Sequence, residues 1–247
     1  MIIERVPTGI PGFDDMIGGG FPSGRVVLIL GEPGAGKTIL GSQFLMNGLT
    51  RFNENGVYVS MDESKAHYAR EMAGFGWNFD SAEKQNHFSF VDASPIRALP
   101  NEIKVGKLAI GRQDFSVISL LEAIKSSAVR VGARRMVVDS ISLFLSQFSN
   151  VNENRKALLD LVDALSETGA TCLLAAELRR VGLKGRSIQL EEYLTHGVVV
   201  MQTVYTGRTM DRTIQVEKMR ETQIDRQPRP YKITEKGIEV YSRESVI

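Results

Sequence analysis

Apolar residues fall along the chain in two kinds of pattern, and the two alternate. Short runs, nearly all unbroken, make up the first kind: Val26, Val27, Leu28, Ile29 and Leu30, then Val57, Tyr58 and Val59, then Phe88, Phe90 and Val91 around Ser89. Met136, Val137 and Val138, then Cys172, Leu173, Leu174, Ala175 and Ala176, then Val198, Val199, Val200 and Met201 continue the series. Runs of this length, bounded by turn residues, read as buried strands. In the second kind, apolar residues recur three and four positions apart. Ile39, Leu40, Phe44, Leu45 and Leu49 do so, as do Val117, Leu120, Leu121, Ile124 and Ala128, and Ala157, Leu158, Leu161 and Leu165. That spacing puts them on one side of a helix. A helix is predicted over 64–73, broken by Gly74, and a short one around Phe13, Met16 and Ile17.

Strands that alternate with one-sided helices predict an α/β fold: a central, mostly parallel, twisted sheet flanked by helices. Tyr231 to Thr234 and Gly237 to Tyr241 predict a closing C-terminal antiparallel hairpin. Residues 93–115, with Pro95, Pro100, Gly106 and Gly111, lack periodicity and read as a long loop or a small excursion. No repeat, low-complexity tract or linker divides the 247 residues, so one domain over 1–247 is expected.

Chemistry enters directly after the first strand. Gly31, Glu32, Pro33, Gly34, Ala35, Gly36, Lys37 and Thr38 fit G-x-x-x-x-G-K-[ST], and Ile39 continues into the helix. Glycines let successive N–H groups turn around an anion, and the helix start adds unpaired donors and a positive dipole end. Strand, glycine loop, helix is the context this phosphate-binding loop requires. Lys37 is expected on the β- and γ-phosphates and the Thr38 hydroxyl on Mg²⁺.

Acids close several strands. Asp139 ends an apolar strand about a hundred positions after the loop, as the Mg²⁺-holding acid of such sites does. Asp62 and Glu63 follow another strand. They read either as a group that orients an attacking water or as the acidic first turn of the next helix. Glu177 reads as a strand end.

Alternation over residues 209–220 places Ile214, Val216, Lys218 and Arg220 on one face. Two cations do not continue into a closed core without partners, so Lys218 and Arg220 are expected at an edge or on an anion. Arg179, Arg180, Lys184 and Arg186, with Gly182 and Gly185, make a basic segment that reads either as a solvated loop or as a loop lining a ring channel and touching nucleic acid or a protein partner.

These motifs resemble the KaiC-like branch of RecA-type P-loop ATPases along nearly the whole chain. The resemblance rests on Thr8-Gly9-Ile10-Pro11-Gly12-Phe13-Asp14, Gly18-Gly19-Gly20-Phe21-Pro22-Ser23-Gly24, the glycine loop and Met61-Asp62-Glu63-Ser64. It extends to Met136-Val137-Val138-Asp139-Ser140, Glu191-Glu192-Tyr193-Leu194 and Val216-Glu217-Lys218-Met219-Arg220-Glu221-Thr222. It implies a RecA-like fold, ATP or ADP with Mg²⁺ as ligands, and a homo-oligomeric, hexameric ring with nucleotide between subunits. It implies ATP hydrolysis that switches interactions in signalling, with a protein partner. Where the family carries a glutamate pair, this chain has Asp62 and Glu63. The family's K-x-R cations, which reach a neighbour's γ-phosphate, match Lys218 and Arg220. The resemblance does not extend to the tandem duplication or the phosphorylated Ser/Thr pair of the clock proteins.

Composition narrows the alternatives. A net charge of +1 argues against a uniformly basic nucleic-acid binder, so a DNA-acting recombinase or helicase motor is the less favoured reading, beside a self-phosphorylating kinase. One cysteine, Cys172, in an apolar run fits a reducing, cytoplasmic setting. No apolar run spans a bilayer, so no membrane role is expected. His67, His87 and His196 stand apart, without metal-ligand spacing.

Overall fold

The structure is a computed structural model that describes residues 3–93, 103–105, 108–110, 117–148, 150–181, 185–206 and 209–245. Among these, nine strands form one sheet. In chain order they are β1 (Val26–Gly31), β2 (Gly56–Ser60), β3 (Phe88–Asp92), β4 (Arg135–Asp139) and β5 (Thr171–Glu177). β6 (Gly197–Thr206), β7 (Thr209–Met219), β8 (Arg229–Thr234) and β9 (Gly237–Val240) follow. Across the sheet the order is β9-β8-β7-β6-β1-β5-β4-β2-β3. Every pairing from β6 to β3 is parallel, and every pairing from β6 to β9 is antiparallel.

Successive residues of a strand point to opposite faces, so the continuous apolar runs feed two cores. Val27, Ile29, Tyr58, Val137 and Leu173 meet helix α1 (Lys37–Asn47) and helix α2 (Lys65–Ala73) on one face. Val26, Leu28, Val57, Met136 and Leu174 meet helix α3 (Val117–Val131) and helix α4 (Val151–Glu167) on the other. Helix α4 ends where its caps predict. The Asn150 side chain accepts from the Glu153 N–H at 2.9 Å, and Gly169 follows α4 at φ +72°.

Two readings need correction. Val198 pairs with Lys218 but Val199 pairs with Val216, so Glu217 is an extra residue, a β-bulge, in β7. The bulge resets the alternation: Ile214, Val216 and Met219 share one core, and Lys218 leaves that face for the side of the short helix Leu190–Leu194. The basic segment, in turn, forms a two-stranded antiparallel ladder, Arg180–Val181 against Gly185–Arg186, where a loop is expected. Of the aperiodic stretch 93–115, Ile103–Val105 and Leu108–Ile110 pair with each other, and most of the remainder lies outside the described residues.

Candidate functional site

The parallel strands end on one edge of the sheet, and their C-terminal loops converge there. β1 stops at Gly31, Gly34 and Gly36 take φ +78° and +92°, and α1 starts at Lys37. A side chain at Gly36 would also meet Ile233, its Cβ coming within 2.9 Å of the Ile233 Cδ1 atom. The loop is braced from the hairpin side, where the Tyr231 hydroxyl donates to the Ala35 carbonyl. The Thr203 N–H donates to the Glu32 carboxylate at 3.2 Å. Lys37 lies across the loop mouth, donating to the Gly31 and Glu32 carbonyls at 2.9 and 3.2 Å. Burial lowers its pKa; Asp139, Glu177, Asp62 and Glu32, which surround it, pull the other way.

At the second residue of α1, the Thr38 hydroxyl donates to the Asp139 Oδ2 atom at 2.6 Å. That carboxylate is 5% exposed, and the Tyr58 hydroxyl donates to the same oxygen at 2.9 Å. The peptide bond after Asp139 is cis. Two hard oxygen donors side by side suit Mg²⁺, which keeps waters and takes phosphate oxygens for its remaining positions. Among the described residues, no cluster of three His, Cys, Asp or Glu side chains offers an all-protein metal site.

Asp62 and Glu63 stand beside this pair. The Met61 N–H donates to the Asp139 carbonyl at 2.7 Å, tying the end of β2 to the end of β4. Ser64 stands at the N-cap position of α2, whose first turn holds no acid, so Asp62 and Glu63 lie outside that turn. The Glu63 N–H donates to the Ser60 Oγ atom at 2.9 Å. Burial raises the Glu63 pKa, and the charges of Glu71, Asp62 and Asp139 add to it against His67. Glu177 ends β5 exposed, its N–H donating to the Ser142 hydroxyl at 2.9 Å. Ile39 is half-buried behind the loop.

Lys218 and Arg220 are elsewhere. Val198 lies level with Leu28 on one side and Lys218 on the other, whereas Met201 is level with Gly31. Three strand residues are roughly 10 Å. Arg220 lies beyond that, its N–H donating to the His196 carbonyl at 2.9 Å, and its side chain is exposed. Lys218 donates to the carbonyls of Glu192 and Thr195 at 2.8 and 2.6 Å. Burial, then Arg220, lowers its pKa against Glu192. The glycine loop thus lies at the C-terminal end of β1, with Lys218 level with the middle of that strand and Arg220 near its start, and a single copy does not bring them together.

The remaining candidates resolve plainly. Arg186 forms ion pairs with Glu192, at 2.7 Å, and with Glu217. Cys172 is fully buried, and burial pushes its thiol up to about 12. Among the described residues, no helix is long and apolar enough to cross a membrane. Sequence reasoning missed Tyr58 and Tyr231. Both sit in strands where an aromatic reads as packing, and only the fold shows where their hydroxyls point.

A glycine loop after one strand, an acid at the end of a second, and a third strand between them in a helix-flanked parallel sheet define a P-loop protein of the RecA type. The family model described as "ATPase: KaiC" matches residues 6–245, and the chain belongs to that family. It is 34% identical over 244 residues to the UPF0273 protein of Thermotoga maritima, covering 98% of both chains. It is 32% identical over 243 residues to the circadian clock oscillator protein KaiC of Prochlorococcus marinus, covering 98% of this chain and 46% of that one. The chain therefore spans about half the length of the clock relatives it matches. The crystal structure of a KaiC-like protein from the archaeon Pyrococcus horikoshii superposes with a TM-score of 0.82 at 33% identity, covering 97% of this chain and all of that one.

Proposed function

We propose that this chain is a single-domain, Mg²⁺-dependent ATPase that binds nucleotide at the loop from Gly31 to Thr38 and works as a homo-oligomeric ring. The observation that carries the reading is the contact between Thr38 and Asp139, set beneath a glycine loop with Lys37 across its mouth. Lys37 exchanges the loop carbonyls for the β- and γ-phosphates. Thr38 and Asp139 hold Mg²⁺, which when bound supplies charge neutralisation on the phosphate oxygens. Glu63, with Asp62 beside it, orients the attacking water, and a raised pKa brings a carboxylate closer to the working range of a general base.

Lys218 and Arg220 serve the nucleotide of the next copy. The exposed Arg220 side chain, near the start of β1 and away from its own loop, supports this. A cation supplied in trans can be worth ~10³–10⁵ in rate. A hexamer switching its contacts with a protein partner, in the cytoplasm, completes the proposal. The pairing of Arg186 with Glu192 and Glu217 gives no support to a nucleic-acid-acting alternative.

The test is equilibrium binding of ATP, with and without MgCl₂, to wild type and Lys37→Ala, alongside phosphate release. Tight binding to wild type, strengthened by Mg²⁺ and lost in Lys37→Ala, is expected. Equal binding by both proteins would overturn the assignment.

A further inference from the structure

Asp139 receives two hydrogen bonds on one oxygen, and only one of the donors belongs to the loop helix. We propose that Tyr58 is a positioning residue for Asp139, holding its carboxylate in the cation-binding orientation when Thr38 turns away. The proposal rests on the nucleotide reading above.

Tyr58 lies in the middle of β2, paired in register with Val137 of β4, two residues before Asp139. It is 3% exposed. Its ring is walled in: the Tyr68 ring lies 4.2 Å away and the Phe90 ring 5.7 Å away, nearly parallel. Tyr68 is itself held by Phe79 and Phe90, and its hydroxyl donates to the Ser42 hydroxyl of α1 at 3.0 Å. The Tyr58 phenol therefore has one orientation, with its hydroxyl on the Asp139 Oδ2 atom at 2.9 Å.

The Thr38 hydroxyl cannot serve in the same way. It reaches that oxygen at 2.6 Å, but the role proposed for it is on the cation. Once drawn there, it no longer restrains the aspartate. Tyr58 is then the donor left on Oδ2, on a strand that does not belong to the loop. Outer partners of this kind typically change metal affinity by 10–100-fold when removed.

Tyr58→Phe deletes the hydroxyl and keeps the ring. Tyr68→Phe is its control: it deletes a hydroxyl of the same aromatic cluster that touches α1 and not Asp139. Both are titrated with MgCl₂ at fixed mant-ATP, read by fluorescence, with a parallel series in EDTA. In EDTA, all three proteins are expected to bind mant-ATP alike. The Mg²⁺ midpoint is expected to rise about tenfold in Tyr58→Phe and to stay at the wild-type value in Tyr68→Phe. At saturating Mg²⁺, kcat falls in Tyr58→Phe while KM for ATP is unchanged. An unchanged midpoint in Tyr58→Phe, or an equal rise in Tyr68→Phe, would overturn the proposal. Wild type binding mant-ATP without any Mg²⁺ dependence would overturn this proposal alone, whereas no mant-ATP binding in either series would remove the nucleotide reading, and this proposal with it.

Discussion

The Thr38 hydroxyl and the Asp139 carboxylate stand 101 positions apart in the chain and 2.6 Å apart in the fold. β4 and the loop strand β1 are not neighbours; β5 lies between them. The contact is made above the sheet edge, by a residue at the start of a helix and a residue at the end of a strand.

Removing either partner should abolish the Mg²⁺ contribution to nucleotide affinity. A ligand at 100 times its Kd stabilises a fold by about 2.7 kcal/mol. Thermal shifts with ATP and MgCl₂ should therefore collapse in Thr38→Val and Asp139→Asn, and the double variant should lose no more than either single one. Additive losses would mean the two residues act separately.

Lys218 and Arg220 can act only between copies if the ring reading is right. Arg220→Ala should lower turnover by ~10³ or more while leaving ATP binding nearly intact. Mixing Arg220→Ala with Lys37→Ala should restore part of the turnover, because some junctions then unite an intact loop with an intact arginine. No recovery on mixing, with both variants shown to co-assemble, counts against action in trans.

Glu63 carries a carboxyl whose pKa is raised by burial and by the charges of Glu71 and Asp62. The folded state thus favours the protonated form. The stability this contributes is present below the unfolded value of about 4.5 and is lost as pH rises through the folded pKa. Glu63→Gln should melt higher than wild type at pH 7, with the gap closing towards pH 4. The same variant should bind ATP and turn it over poorly. A variant that melts lower at pH 7 would show that the ionised form is favoured in the fold.

Arg135, with no exposed surface, pairs with Glu54 at 2.6 Å, donates to the Phe44 carbonyl at 2.8 Å, and lies over the rings of Phe44 and Phe52. It joins the far end of α1 to the start of β4, the two elements that carry Thr38 and Asp139. Breaking a buried ion pair by removing one member costs about 3–5 kcal/mol, so Arg135→Met should unfold at clearly lower denaturant. Gly48 is packed against it: an added Cβ would come within 2.5 Å of the Arg135 Cδ atom. Gly48→Ala should then destabilise by about 1–3 kcal/mol, although alanine is the better helix former. Stability equal to wild type in Gly48→Ala would show that Arg135 can shift.

Much of this was legible in the residues because the signals are local. The buried runs at Val26 to Leu30 and Cys172 to Ala176 need no partner to declare themselves as strands, and the glycine spacing around Lys37 encodes a turn with its own chemistry. Asp139 was legible from its place at a strand end. The sequence by itself determined the α/β alternation, the loop and the acids that could attend it, since each depends on periods of two or 3.6 residues or on a motif eight residues long. Only the tertiary structure decided which residues meet. One extra residue at Glu217 reversed the side on which Lys218 projects, and no alternation pattern announces where a ladder will bulge. Strand order put β5 between the loop and Asp139, and brought the Tyr58 hydroxyl onto the same carboxylate. Those are facts of pairing across the sheet, set by the packing of two cores, and a chain read in order holds no record of its neighbours in space.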